Sequence, residues 1–194
     1  MSLYLYDTAL LNKLKSWNAN SNLHILGVDE TSRLFKLKAD TTNDAPIKLP
    51  LMCLSRRGGF DIINTNKRVI AFDGITKEAT IEKSTQINVV PIKISYQLDV
   101  YTRYLREADE YARNIIFNVI NSPKVQIVVP YNGINLAHDS NIRIGSTVSD
   151  NSSISEGLVP GQLTRLSFDI DIDDAYLFDI RLRDNYILDA NIEI

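Results

Sequence analysis

The sequence predicts an α+β fold: a mainly antiparallel β-sheet packed by one long central helix and an N-terminal helix, with protruding loops. Three observations predict it. Residues 89–120 change hydrophobic period from two to about 3.6, the pattern of a strand feeding directly into a helix. Residues 3–17 carry apolar side chains at helical spacing. Most of the remaining chain reads as short runs divided by Gly, Asn, Asp and Pro.

In residues 3–17, Leu3, Tyr6, Leu10, Leu14 and Trp17 recur every three or four positions, while Asp7, Lys13 and Lys15 lie off that stripe. Such a helix is expected to pack on the sheet or on a neighbouring copy. A short strand is expected around residues 24–28, and a second where Leu34, Lys36 and Lys38 alternate with Phe35, Leu37 and Ala39. Residues 40–46, DTTNDAP, are loop chemistry. The apolar run 47–54 contains Pro50, which predicts an edge strand or one broken at that point. Arg56, Arg57, Gly58 and Gly59 read as a flexible basic loop. No Lys-Ser/Thr follows them, so a solvated turn is expected rather than a nucleotide loop, with contact to a charged partner as the second choice. Residues 61–86 are weakly patterned; 69–72 followed by Asp73-Gly74 suggest a hairpin with 79–81 in its return strand.

The central stretch is the most informative. Ile92, Ile94, Tyr96, Leu98 and Val100 alternate with Lys93, Ser95, Gln97, Asp99 and Tyr101, giving one apolar and one polar face. From Tyr104 the apolar stripe continues through Ala108, Tyr111, Ala112, Ile115, Ile116, Val119 and Ile120. Asp109 and Arg113 form a favourable i,i+4 pair, and Pro123 stops the helix. The short link suggests that this helix folds back onto the sheet. Residues 124–131 predict a strand, Asn132-Gly133 a tight turn, and 141–148 another strand. Residues 150–161 form the clearest long loop and are expected to touch a neighbour. Leu166, Phe168, Ile170 and Ile172 then alternate with Arg165, Ser167, Asp169 and Asp171, a strand with a core face and an acidic face. Residues 175–183 read as its partner or extension, and 187–194 as a strand-like segment that pairs with something.

A chain of 194 residues, 44% hydrophobic and 23% charged, suits one globular domain spanning 1–194. No apolar run approaches the roughly 18 residues of a membrane span. The amino terminus lacks the pattern of a secretory signal, so the chain is expected to stay in the cytosol where it is made. Cys53 is the sole cysteine, which excludes an internal disulfide and predicts a small buried core residue. The run Asp169, Asp171, Asp173 resembles the start of a calcium loop. Asp174 stands where that loop needs Gly and Ile180 where it needs Glu, so no metal is expected. His24 and His138 belong to no catalytic motif, and no basic stripe with interleaved aromatics favours nucleic acid. No catalytic residue and no cofactor is therefore expected, and an assembly or binding protein is favoured over an enzyme.

Charge is split along the chain: residues 150–194 hold ten acids and three bases, against fourteen acids and eighteen bases before them. That split suits head-to-tail contact between copies, and equally an acidic solvated edge. Nine tyrosines, with Tyr96, Tyr101, Tyr104 and Tyr111 in the central stretch, suit either a core margin or an interface.

Residues 91–104, PIKISYQLDVYTRY, resemble the centre of the tail terminator (tail completion) proteins of contractile-tailed bacteriophages. In that family a strand of the form P-I-x-x-x-Y-x-L-x, then an apolar residue, an aromatic residue and T-R-Y, leads into an amphipathic helix. The flanking order is also similar: an amino-terminal helix, a strand with a Pro-apolar pair (here Pro50-Leu51), and an acid-rich strand near the carboxy terminus. The resemblance covers roughly residues 1–180 and is strong over 91–111. It implies a homohexameric ring at the head-proximal end of the tail that caps tube and sheath, stops polymerisation and docks the neck. The implied partners are further copies of the chain, the tail tube protein, the sheath protein where the tail is contractile, and neck or head-completion proteins. No membrane and no sequence-specific nucleic acid is implied, although DNA would pass through the ring lumen. The implied location is the virion tail, assembled in the host cytoplasm. The chain lacks the long carboxy-terminal extension of some relatives, so contacts made by one are not expected.

Contact candidates, chosen by position and charge rather than carried from the family motif, are Arg56, Arg57, Tyr101, Asp150, Asn151, Glu156, Asp169, Asp171 and Asp173. The alternatives are another tail, neck or baseplate component of related fold, or a small enzyme or ligand-binding domain with a cryptic site.

Overall fold

The computed structural model describes residues 2–19, 22–40, 48–63, 68–73, 84–131, 134–152 and 163–178. In chain order its elements are α1 (Ser2–Trp17), β1 (His24–Leu26), α2 (Val28–Asp40), β2 (Leu51–Ile62), β3 (Arg68–Asp73) and β4 (Ser84–Thr102). There follow α3 (Leu105–Asn121), β5 (Lys124–Tyr131), β6 (Ile134–Asp150) and β7 (Thr164–Phe178). The strands form one sheet ordered β1-β2-β4-β7-β6-β5, with β3 also paired to β4. Only β1–β2 among these pairings is parallel. The architecture is α+β, as the sequence predicts, and α1 and α3 pack on the same face of the sheet.

β4 is the spine. Along one edge it pairs with β2 from Leu51↔Tyr101 to Ile62↔Ile92, then with β3 from Arg68↔Val89 to Asp73↔Ser84. Along the other edge it pairs with β7 from Thr102↔Thr164 to Val89↔Phe178. Its alternation is read out as burial: Ile92, Ile94, Tyr96, Leu98 and Val100 are all fully buried. Met52 and Leu54 of β2, and Phe168, Ile170 and Ile172 of β7, join them in the main core. The α1 stripe Tyr6, Leu10 and Leu14 and the α3 stripe Ala108, Ile115 and Val119 close that core from the same side. Each such fully buried Leu or Ile contributes about 1.5–3 kcal/mol of transfer free energy.

α3 follows β4 after two residues, with Thr102 Oγ1 donating to the Tyr104 carbonyl at 2.9 Å. Asn114 Nδ2 donates to the Trp17 carbonyl at 3.1 Å and joins α3 to the end of α1. The helix ends where Ser122 N–H bonds the Asn118 carbonyl at 2.9 Å, one residue before Pro123. Its exposed i,i+4 ion pair is Arg106 with Glu110 at 3.7 Å, rather than the expected Asp109 with Arg113.

Several expectations are corrected. The strand expected at residues 34–39 is the second half of α2. Glu30 Oε2 accepts the Gly27 N–H at 2.9 Å and Thr31 N–H bonds the Gly27 carbonyl at 2.9 Å, which starts a helix that overrides the alternation downstream. Gly27 packs closely against α1, since a Cβ there would lie 2.9 Å from Leu11 Cδ2 and the leucine tip would have to move aside. α2 lies on the sheet face opposite the core, where Leu34, Leu26 and Leu49 cover Leu51, Cys53 and Tyr101. Pro50 precedes β2 rather than breaking it, and β2 runs between β1 and β4 rather than at an edge there. The Arg56–Gly59 tetrapeptide, expected as a solvated loop, is a bulge inside β2. The register jumps from Arg56↔Tyr96 to Phe60↔Ile94, and Gly58 and Gly59 sit at φ 63° and 126°, where only glycine is comfortable.

The hairpin return strand is the start of β4, paired from Ser84; residues 79–81 lie outside the described residues. β6 is longer than the expected 141–148, and the extension of β7 is described as far as Phe178. The Asn132-Gly133 turn, residues 40–46 beyond Asp40, most of the 150–161 loop, and 179–194 also lie outside the described residues. No helix among the described residues is long and apolar enough to cross a membrane.

Candidate functional site

Strand alternation places Lys93, Ser95, Gln97, Asp99 and Tyr101 of β4 on the face opposite the core. Cross-strand register sets Arg165, Ser167, Asp169 and Asp171 of β7 beside them. The acidic row is expected as a solvated strand face, and the structure meets each of Asp169, Asp171 and Asp173 with a cation from another strand. Arg57 grips Asp169 with both terminal nitrogens, at 2.9 and 3.0 Å, and its Nε reaches Gln97 Oε1 at 3.3 Å. Lys93 Nζ lies 2.7 Å from Asp171 and 4.0 Å from Asp173, and Arg143 of β6 closes on Asp173. Ser95 Oγ donates to Asp171 at 2.7 Å. Burial pushes the Asp171 carboxyl up, but the Lys93 and Ser95 hydrogen bonds outweigh it and hold it below the usual range. This outer face is therefore an alternating ladder of both signs, and its Arg57–Asp169 rung is 52% and 46% exposed at the side chains.

One end of the face is closed instead of open. Asp99, 4% exposed, receives Arg165 through Nε at 3.3 Å and Nη2 at 3.0 Å. It also accepts from Ser167 Oγ at 2.5 Å and from Gln97 Nε2 at 3.0 and 3.2 Å. The Arg165 guanidinium lies 5.5 Å from the Tyr101 ring centroid. Tyr101, a contact candidate by sequence, is buried here, and its hydroxyl has no hydrogen-bond partner among the described residues. Burial, then the Asp99 charge, pushes both the Tyr101 hydroxyl and the neighbouring Cys53 thiol up, the thiol to about 12.

Arg56 lies on the core side. Its Nε is 3.2 Å from Asp7 Oδ1, which also accepts from the Tyr96 hydroxyl at 2.9 Å, so this arginine ties α1 to the sheet. Burial pushes the Asp7 carboxyl up in spite of both contacts. Asp150 and Asn151 root the β6–β7 connection. Asp150 Oδ1 accepts the Ser152 N–H at 3.0 Å, and Ser152 Oγ accepts the Arg165 N–H at 3.0 Å. Asn151 N–H bonds the Arg165 carbonyl at 2.8 Å, and its side chain donates to Ser167 Oγ at 2.8 Å. The Ser152 hydrogen bonds hold the Asp150 carboxyl below the usual range. Glu156 lies outside the described residues.

Sequence reasoning missed Lys93, Arg143 and Arg165 as partners of the acids. Their charges were visible; the strand register that pairs them was not. Among the described residues the nearest approach to a nucleophile and base is Ser140 Oγ, 3.1 Å from His138 Nε2. Both atoms meet the Asp174 carbonyl, at 2.9 and 3.0 Å, and Ser140 is buried, which makes the group a brace between β6 and β7. Among the described residues no group of three or more His, Cys, Asp or Glu is placed to hold a metal ion.

Neither a family model nor a curated protein matches this chain.

Proposed function

We propose that the chain is a virion structural protein, a tail terminator, forming a hexameric ring that caps the head-proximal end of a phage tail tube and sheath. The observation that carries this reading is the role of residues 91–104. The stretch that resembles the family forms most of the paired length of β4 and turns into α3 after Thr102. Mechanism in such a protein is geometric. A ring with the symmetry of the tube occupies its growing end, halts polymerisation, and offers its other side to the neck. Six copies of one weak contact act together, so no single contact has to be strong. The mixed-charge ladder suits such a contact, because half-exposed ion pairs exchange partners at little cost and reject surfaces out of register. Asp150 and Asn151, locked to β7, give the following loop a fixed origin from which to meet a neighbour. The partners of this reading are other copies of the chain, the tube protein, the sheath protein where one exists, and neck proteins.

The test is the mass of the purified protein by light scattering across a concentration series, with and without tail tubes. The expected result is a hexamer, or a monomer that closes into a six-fold ring on tubes. A strict monomer that ignores tubes overturns the reading.

A further inference from the structure

α3 carries two stripes on opposite sides. The inner one, Ala108, Ile115 and Val119, is buried against the sheet. The outer one is Arg106, Glu110, Arg113, Phe117 and Ile120, at spacings of four, three, four and three, which turns it directly away from the inner stripe. All five are exposed. The Arg106 and Glu110 side chains are open to 90% and 61%, and Phe117 and Ile120 to 58% and 64%. A single apolar side chain on a surface needs no explanation, but these two stand one turn apart on the outermost line of the helix. Alternating threes and fours are also the spacing of a seam, along which two helices mesh side chain between side chains.

We propose that this stripe is the contact by which two copies of the chain pair, α3 against α3, antiparallel and about a two-fold axis. Charge selects both direction and register. In a parallel pair each position meets itself, so Arg106, Glu110 and Arg113 would all face their like. Antiparallel, the seam meshes in registers one heptad apart. In the central one Glu110 faces the partner's Arg113 and Phe117 faces the partner's Arg106, and the two-fold axis makes each pairing twice. Ile120 then lies on the alkyl stem of the partner's Arg103, which is exposed just before α3. A heptad one way sets Arg113 against Arg103; a heptad the other way sets Glu110 against Ile120 and Arg106 against Lys124. Of these, the central register alone answers every charge of the stripe with an opposite charge or an aromatic face. The Arg106–Glu110 pair within the helix is long, at 3.7 Å, and exposed, so solvent already screens it and it yields at little cost.

The contact is isologous, so it joins two copies and stops. It does not depend on the tail-terminator reading: it doubles whatever unit the chain forms, one monomer to a dimer or one ring to two. A single pair of 17-residue helices buries a small area, in the class under about 1,200 Å² that marks weak and transient association. Pairing is therefore expected to depend on concentration, and to weaken with salt because its charges sit at the surface.

The test is sedimentation velocity on the full chain at low salt over a concentration series, with the variants Phe117→Asp, Glu110→Arg and Arg113→Glu. The parent is expected to pass from its base unit to twice that mass as concentration rises. Phe117→Asp moves the midpoint upward by at least about tenfold. Glu110→Arg and Arg113→Glu each do the same alone, by at least about tenfold, because the altered position now faces a like charge. Mixed in equal amounts, those two variants pair again, within about threefold of the parent, since each copy supplies the charge that the other needs. Mixing cannot repair a folding defect, and melting temperatures within about 2 °C of the parent check that all three fold. A parent that keeps its base mass at every concentration overturns the proposal. A mixture that pairs no better than its components also overturns it, because Glu110 and Arg113 then do not meet. The ring reading fails separately: six-fold species that never double keep the ring and remove the pairing, whereas monomers that only pair do the reverse.

Discussion

Replacing Arg165 by Ala should be among the most damaging single changes on the outer face of the sheet. The guanidinium is only 16% exposed and answers a carboxylate that is 5% exposed at its side chain. Removing it leaves Asp99 buried with two neutral donors, Ser167 and Gln97, and no countercharge. Breaking a buried pair from one side costs about 3–5 kcal/mol. For a chain of this size each kcal/mol moves the melting temperature by about 2–4 °C, so Arg165→Ala should lower Tm by roughly 6–20 °C. The backbone N–H and carbonyl of residue 165, which hold Ser152 and Asn151, survive the change, so the loss isolates the side chain. Removing both charges in Asp99→Asn with Arg165→Met keeps a polar partner for Ser167 and should recover more than half of the loss. The assay is thermal unfolding followed by circular dichroism, with urea titration for the free energy. An Arg165→Ala protein within about 1 kcal/mol of the parent would refute the view that Asp99 depends on this partner.

The exposed rung should behave differently: Arg57→Ala is expected to cost under about 1 kcal/mol in the same melts, because solvent screens its pair with Asp169. A loss as large as that of Arg165→Ala would show that the ladder acts as one buried network. Alkali should destabilise the fold. Burial pushes the Tyr6 hydroxyl and the Cys53 thiol each up to about 12, so the unfolded chain gives up those protons first, from the ordinary 10.0 and 9.0. The native state then holds more protons, and stability present below pH 9 is lost as pH rises toward 12. Urea unfolding at pH 8, 10 and 11 checks this, and a flat profile would contradict it.

The long-period features were legible because they are local. The stripes of α1 and α3, and the alternation of β4 and β7, each follow from side chains a few residues apart, and burial honours them at Leu10, Ile115, Leu98 and Phe168. α2 was misread because Lys36 and Lys38 alternate by chance with Phe35 and Leu37, while the deciding signal lay upstream in Gly27, Asp29 and Glu30. The two-arginine, two-glycine run has the composition of a loop, and only its pairing with β4 on both sides makes it a bulge. The acids of β7 were legible as a face, yet not as a neutralised one, because Arg57 stands 112 residues from Asp169. Nothing local marks Arg56 as the anchor of Asp7 or Tyr101 as a covered ring, since both depend on where α1 and α2 come to rest.

The spine has a consequence for how the chain is born. β2 and β3 precede β4, so one side of it is paired as soon as it is made, but its other side waits for β7; Ser95 and Asp171 are 76 residues apart. At about 5–20 residues per second, the ribosome takes some 4–15 s to supply that distance. Throughout that interval the longest strand among the described residues presents an unfilled edge to solvent, a template for any strand that passes. The sheet is thus completed only once β7 has been made, and truncation before residue 164 removes the strand that seals it.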